Sequence, residues 1–165
     1  VTNDPGAKFY LCSNSGISTA SYEWIFGKGR FAPGGPQFDP RFQWAYYADA
    51  PKTTIDLLAD TYGEPSFIKI DVEGYEDSVI RTMSKPYCPL AFEWSEELLD
   101  EHLKTLEYLN GVLGYSKFFI QDGDAYDFVP PPSEYLDYDT LVETMKTTFD
   151  PIRKERMGML WCDFF

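Results

Sequence analysis

Phe67–Glu76 reads Phe-Ile-Lys-Ile-Asp-Val-Glu-Gly-Tyr-Glu and is the most informative segment of the chain. Its apolar start predicts a buried strand, and its glycine predicts a turn into a helix. Because side chains alternate across a strand, Lys69, Asp71 and Glu73 share one side. In an open parallel α/β sheet, ligands bind beyond the carboxyl ends of the strands. The two acids at this strand end therefore predict a ligand site.

The next predicted strand, Leu90-Ala-Phe-Glu-Trp, brings a third acid, Glu93, toward its end. Neighbouring strands lie about 4.8 Å apart, so we expect Asp71 and Glu93 to lie close together. Such a pair could act as a general base, hold a cation or coordinate Mg²⁺ through oxygen ligands. Glu93 could instead cap the following helix. Lys69 is interpreted as an orienting partner of Asp71, and the sequence assigns no metal ligand.

The remaining pattern indicates one α/β domain over residues 1–165, irregular and rich in loops over 1–50 and regular over 51–165. Thr53-Thr-Ile-Asp56 has the spacing of a capping box and predicts a helix through Tyr62. The alternation of strands and helices predicts a mainly parallel sheet. The last apolar strand follows a long excursion, and we expect it to join the sheet antiparallel.

Composition excludes several classes of partner. The chain has 165 residues, 18% of them aromatic, and a formal net charge of -13. This acidity argues against nucleic acid or anionic lipid as the main partner. The sequence has no apolar run long enough to span a membrane, and we expect a cytoplasmic protein. Three widely spaced cysteines and a single histidine predict reduced structural thiols rather than a zinc site or a disulfide framework.

Other motifs carry less weight. Asp122-Gly-Asp124 matches the short DxD that holds a metal-nucleotide in many glycosyltransferases, but so short a motif arises easily by chance in an acidic chain, and a turn explains it better. Gly27-Lys-Gly29 lacks the strand and the helix that a phosphate loop requires. His102 has no histidine or cysteine partner at ligand spacing and is interpreted as a surface or flanking residue of its helix, without a catalytic role.

Several of these elements together resemble the FkbM-type S-adenosylmethionine-dependent methyltransferases. That family carries a T-x-D-x-L element, a strand end of the form K-I-D-V-E-G-x-E and a later strand ending in F-E. The matching stretches here are Thr53–Leu58, Phe67–Glu76 and Leu90–Glu93. Asn14–Thr19 is similar to the small-residue loop that the family places upstream, and Leu160–Asp163 fits its C-terminal strand.

The resemblance implies a Rossmann-like class I methyltransferase sheet that binds S-adenosylmethionine and methylates a hydroxyl of a sugar or another small molecule. It places Asp71 beside the reacting centre, with Glu73 or Glu93 contacting the acceptor or a metal. Asp71 and Gly74 are the residues of this sequence that it implies for the cofactor. A divalent metal is compatible with this chemistry but is not implied by the motif.

The resemblance covers the C-terminal two-thirds of such a domain. The Asp/Glu-x-Gly-x-Asn-x-Gly loop that cradles the cofactor has no counterpart before Lys8. We therefore expect a sheet that is incomplete at the N-terminus, in a fragment that is inactive alone. The alternatives are a degenerate interaction or carbohydrate-binding module and a DxD glycosyltransferase. An exposed sheet edge would also favour a homo-oligomer.

Overall fold

The computed structural model describes residues 7–44, 46–122, 132–148 and 157–163. Within these ranges the strands are β1 Ala7–Leu11, β2 Tyr46–Ala50, β3 Ile68–Ile70, β4 Leu90–Ser95, β5 Lys117–Asp122 and β6 Met157–Asp163. The α-helices are α1 Tyr22–Phe26, α2 Ile55–Tyr62, α3 Glu76–Ile80, α4 Leu99–Gly111 and α5 Tyr138–Thr148. No helix in the described ranges combines the length and the apolar character that crossing a bilayer requires.

The main sheet has four strands in the order β3-β4-β6-β5. β3 and β4 pair in parallel, with Ile68 opposite Leu90 and Ile70 opposite Phe92. β6 lies antiparallel between β4 and β5, so β5 runs in the same direction as β3 and β4. The predicted α/β class and the antiparallel last strand are confirmed. Three of the four strands share a direction, although only β3 and β4 form a parallel ladder.

β4 is the central buried strand of this sheet. Leu90, Ala91 and Phe92 are fully buried, whereas Glu93 is half-buried. A strand covered on both faces is normally an unbroken apolar run, so a glutamate within it is a departure from the core pattern. The core that packs around the strand consists of Ile70, Ile80, Met83, Trp94, Leu106, Leu109, Leu113, Tyr115, Phe118, Leu141 and Met145. Glu93 therefore marks the point where the core gives way to a polar site.

The N-terminus of α2 differs from the predicted capping box. The side chain of Thr54, rather than that of Thr53, accepts the hydrogen bond from the Leu57 backbone N–H. Asp56 does not bond back to the cap; its carboxylate accepts hydrogen bonds from the Ser84 backbone N–H and the Tyr87 hydroxyl. The capping prediction was wrong because Ser84 and Tyr87, in a distant part of the chain, engage the carboxylate of Asp56 instead.

The segment before α2 folds onto the main sheet. β1 and β2 form a separate antiparallel pair, with Ala7 opposite Ala50. An isolated antiparallel bridge pairs Thr19 with Tyr10 of β1. Turns and irregular segments follow over residues 27–44. The division of the chain at residue 50 stays a prediction. This segment supplies side chains that reach the carboxyl ends of β3 and β4.

Candidate active site

Three carboxylates meet at the carboxyl-terminal side of the parallel pair β3 and β4. Asp71 and Glu73 follow β3, and Glu93 lies within β4. One oxygen from each of them lies within 4.8 Å of the oxygens of the other two. The structure therefore brings together the three residues predicted from the sequence, and we call them the acid cluster. Their roles in catalysis stay predictions.

Asp71 is the most accessible member of the acid cluster. Its side chain is 54% exposed, and its Oδ2 lies 3.2 Å from the Nζ of Lys69. Lys69 is itself 38% exposed, so the pair is solvated and contributes little to stability. The contact fits the orienting role predicted for Lys69, because it holds the carboxylate while leaving it open to a ligand.

The turn after Asp71 has an unusual backbone. Glu73 has a φ of 53° and Gly74 a φ of 82°, so two successive residues are left-handed. For a residue with a side chain this conformation costs about 1–2 kcal/mol, so its surroundings must hold Glu73 in place. The buried carboxylate of Glu76 does part of this, because its Oε1 accepts hydrogen bonds from the N–H groups of Val72 and Gly74.

Thr19 also holds this turn. Its hydroxyl donates to the Glu73 carbonyl at 2.7 Å, and the Val72 carbonyl lies 3.3 Å away. The same oxygen accepts a hydrogen bond from the Ser21 N–H at 2.9 Å, and Thr19 is completely buried. Sequence reasoning missed this residue, because a threonine in a polar loop gives no periodic signal and its partner is 54 residues away.

Trp24 explains why position 74 is a glycine. A Cβ built on Gly74 would lie 3.0 Å from the indole of Trp24 and 3.2 Å from the side chain of Leu98. The left-handed backbone and this close approach both require glycine. The packing accounts for Gly74 structurally, and its predicted contact with a cofactor stays a prediction.

Burial and the neighbouring acids raise the pKa values of two members of the acid cluster, Glu73 and Glu93. Burial, with the charges of Asp71 and Glu76, raises the pKa of Glu73 from 4.5 to about 7. Burial, the charges of Asp71 and Glu73 and a hydrogen bond with Asp71 raise the pKa of Glu93 further. Carboxyl groups that titrate near or above neutrality can accept and return protons under physiological conditions. The three oxygens also match the preference of hard divalent cations for carboxylate ligands.

One buried cation partly offsets this repulsion. The side chain of Arg30 is fully buried, and its Nε and Nη2 lie 2.9 and 3.4 Å from the carboxylate oxygens of Glu97. Its positive charge lowers the pKa of Glu73, against the larger effects of burial and of the neighbouring acids. The sequence did not single out Arg30, because its partner follows β4 in a distant part of the chain.

The other residues considered from the sequence either have structural roles or lie outside the described residues. His102 is buried rather than at the surface: its Nε2 accepts a hydrogen bond from the Ser95 N–H, and burial lowers its pKa to about 4. It is a neutral structural imidazole at physiological pH. Cys12 and Cys88 are free, buried thiols. Asp124 of the DxD motif lies outside the described residues.

The fold and the acid cluster define the class of protein: an α/β domain with acids at the ends of two parallel strands, where ligands of such sheets bind. A family model of the methyltransferase FkbM domain matches residues 3–115, more than half of the chain. The chain belongs to the FkbM methyltransferase domain family. The match includes β3, β4 and the acid cluster. No curated protein and no solved structure matches the chain.

Proposed function

We propose that this chain forms the acceptor side of an S-adenosylmethionine-dependent O-methyltransferase. The observation that carries the proposal is the convergence of Asp71, Glu73 and Glu93 within 4.8 Å at the carboxyl ends of the parallel pair β3–β4. Family membership supports methyl transfer, and a carboxylate next to the acceptor suits a hydroxyl nucleophile. The acceptor class that we propose is a sugar or another small-molecule hydroxyl.

The donor set of the site fits a cationic methyl donor. S-adenosylmethionine supplies an electrophilic methyl group on a positively charged sulfur, which anionic groups attract. Asp71 is the exposed acid that could face that charge, and it is the residue that we propose for this contact together with Gly74. The described residues contain no strand followed by an acidic glycine-rich loop. We therefore propose that the described residues supply the acceptor side of a Rossmann-like sheet and that the cofactor loop is not among them.

The acid cluster is suited to removing the proton of the acceptor hydroxyl. As the new carbon–oxygen bond forms, the hydroxyl proton must leave, and a carboxylate that titrates near pH 7 can accept it. Glu73 has this property, and Thr19 and Glu76 hold its backbone. Alignment of the acceptor oxygen with the methyl group would supply the rest of the rate, because this displacement depends on in-line geometry.

The direct test is Asp71→Asn in the complete enzyme that carries this chain, assayed by transfer of labelled methyl to a panel of small hydroxyl compounds. We expect a correctly folded variant to lose most of its turnover. Wild-type turnover would contradict the role of Asp71. A parallel assay with a chelator, followed by added Mg²⁺, decides whether the acid cluster works through a divalent cation or as a direct base.

The proposal also predicts how the chain behaves in isolation. We expect S-adenosylhomocysteine to bind weakly or not at all when it is titrated into residues 1–165 in a calorimeter. Micromolar affinity would contradict the proposal that residues 1–165 supply only the acceptor side of the site. Binding of sugars without methyl transfer by the complete enzyme would favour the alternative, a carbohydrate-binding module that has lost the chemistry.

A further inference from the structure

A small cavity adjoins the acid cluster on the side of Glu93. Its lining includes the polar side chains of Trp24, Glu76, Glu93, Ser95 and His102. Of these five residues, only Glu93 is more than 4% exposed. The volume of the cavity is about 10 Å³, and a space of about 10–15 Å³ is the least that holds one water molecule. The cavity is therefore too small for an organic ligand and has the size of one water.

Trp24 brings a hydrogen-bond donor without a partner to this lining. Its side chain is 2% exposed, and its Nε1–H has no acceptor among the described residues. Buried polar groups of native proteins are almost always hydrogen-bonded, either to protein or to ordered water. An indole can only donate, so the missing partner must be an acceptor. A water oxygen in the cavity would supply it.

The contacts that hold the turn of Glu73 also place Trp24. Ser21 is the N-cap of α1, and its hydroxyl accepts a hydrogen bond from the Trp24 backbone N–H. The Ser21 N–H in turn donates to the hydroxyl oxygen of Thr19, which donates to the Glu73 carbonyl. The indole of Trp24 packs against Gly74 in the same turn. Trp24 is therefore fixed relative to the acid cluster.

His102 does not provide the acceptor that Trp24 requires. A neutral imidazole has one nitrogen that accepts and one that donates. The Nε2 of His102 already accepts the Ser95 N–H, and burial keeps the ring neutral by lowering its pKa to about 4. The side-chain acceptors that remain in the lining are the hydroxyl of Ser95 and the carboxyl groups of Glu76 and Glu93.

The two carboxyl groups of the lining can accept hydrogen bonds from a water. The Oε1 of Glu76 accepts the N–H groups of Val72 and Gly74, and a carboxylate has lone pairs for about four such bonds. Glu93 lies among the charges of other acids, which raise its pKa. A water that accepts the indole N–H keeps both of its hydrogens for these carboxyl groups. It would then have about three partners, as buried waters typically do.

We propose that this cavity binds one ordered water molecule, which accepts the Nε1–H of Trp24 and donates to Glu93 and Glu76. Trp24 is then a positioning residue, because it acts on the acid cluster through the water. Donation by the water favours the ionised form of Glu93, which is the form that can take up a proton. The consequence for methyl transfer rests on the proposed function, whereas binding of the water does not.

The first test is NMR of the chain with ¹⁵N-labelled tryptophan indoles, in which NOE and ROE transfer from water to each indole N–H is measured. We expect the Trp24 indole, assigned by triple-resonance spectra, to show the sign of transfer that a long-lived bound water gives. Ser95→Ala removes the hydroxyl of the lining, a possible relay of this transfer, and should leave the contact in place. The absence of a long-lived water at Trp24, or its loss in Ser95→Ala, overturns the proposal.

The second test separates positioning from a purely structural role. Trp24→Phe keeps an aromatic ring but removes the N–H that holds the water. In a ¹³C titration of the carboxyl groups in metal-free buffer, the midpoint of Glu93 should rise by about 0.5–1 unit, because the ionised form loses a donor. Asp71, Glu73 and Glu76 continue to act on Glu93 in this variant.

Trp44→Phe is the matched control, since it removes an indole outside the lining and should leave the midpoint of Glu93 unchanged. An unchanged or lowered midpoint in Trp24→Phe, or the same rise in both variants, overturns the proposal. If Trp24→Phe does not fold, as judged by its melting curve, the water contact of the unsubstituted chain decides the question.

Both measurements are independent of methyl transfer, because neither contains a methyl donor or an acceptor. A failure of the proposed function would leave the water contact and the shifted midpoint in place. A failure of the water site would leave methyl transfer by the complete enzyme intact.

Discussion

Asp56 and Glu73 are carboxylates from two neighbouring motifs, and their surroundings shift their pKa values in opposite directions. Burial would raise the pKa of Asp56, but the hydrogen bonds from Tyr87 and Ser84 and the charge of Lys85 outweigh it and lower the pKa. Glu73 receives no comparable compensation, so burial and neighbouring acids raise its pKa to about 7. Asp56 is held by hydrogen-bond donors, whereas Glu73 lies next to other acids.

The difference separates a structural acid from a candidate catalytic one. Asp56 joins α2 to the turn at Ser84 and so contributes to folding. The acid cluster places like charges together, which opposes folding and persists in proteins mainly where chemistry requires it. The comparison predicts that variants of the two carboxylates will affect different properties.

The largest expected effect is on turnover in Glu73→Gln. Removing a proton acceptor from a reacting centre typically costs about 10²-fold or more in rate. We expect a loss of this order in kcat of the complete enzyme, with a smaller change in KM, because the amide keeps the shape of the side chain. The measurement is steady-state methyl transfer with the best acceptor of the panel.

Asp56→Asn is the matched control for that experiment. It removes a carboxylate of a neighbouring motif that lies outside the acid cluster, so kcat at a temperature where the variant is folded should equal that of the wild type. Equal losses of kcat in Glu73→Gln and Asp56→Asn would contradict the distinct role of Glu73, since both carboxylates would then affect activity only through the fold.

The second effect is on stability, and it falls on Asp56. Asp56→Ala leaves the Tyr87 hydroxyl and the Ser84 N–H without their acceptor and should lower the free energy of unfolding by about 1–3 kcal/mol. Urea unfolding measures it. Glu93→Gln should leave stability unchanged or raise it, because it removes a member of a like-charged group. A larger loss in Glu93→Gln than in Asp56→Ala would contradict this assignment.

A somewhat smaller effect tests the contact that holds Glu73. Thr19→Val keeps the shape of the buried side chain but removes the hydroxyl that donates to the Glu73 carbonyl. We expect unfolding to become easier by about 1–2 kcal/mol. Thr19→Ser, which keeps the hydroxyl, should recover most of that loss. If valine and serine variants are equally stable, the hydrogen bond does not hold the turn.

The smallest effect is on the pH dependence of stability. An acid with a raised pKa binds more protons when folded, so stability falls as the pH rises between its unfolded and folded values. For Glu73 this window extends from 4.5 to about 7. Asp56, with a lowered pKa, contributes stability above its ordinary value of 3.8 that is lost as the pH falls through its folded value. Urea unfolding at several pH values should show a shallower decline for Glu73→Gln across the first window.

The sequence was informative wherever a local pattern decided the structure. Alternation along Phe67–Glu76 and the parallel pairing of β3 with β4 were enough to bring Asp71 and Glu93 together. The pattern could not reveal Thr19 or Arg30, because each acts through side-chain hydrogen bonds to partners more than 50 residues away.

Local rules also failed where a distant partner competed with them. The spacing of Thr53 and Asp56 indicated a capping box, but Tyr87 and Ser84 engage Asp56 instead. His102 was interpreted as a surface or flanking residue of its helix because it has no histidine or cysteine partner at ligand spacing. The Ser95 N–H at the end of β4 gives it a buried partner that no helical pattern encodes.

The most direct test of the account is a ¹³C NMR titration of the carboxyl groups of Glu73, Glu93 and Asp56 in this chain, in metal-free buffer. We expect a midpoint of about 7 for Glu73, a higher one for Glu93 and one below 3.8 for Asp56. Midpoints near 4.5 for both glutamates would contradict it, because the acids would then be separate, solvated groups rather than one crowded site.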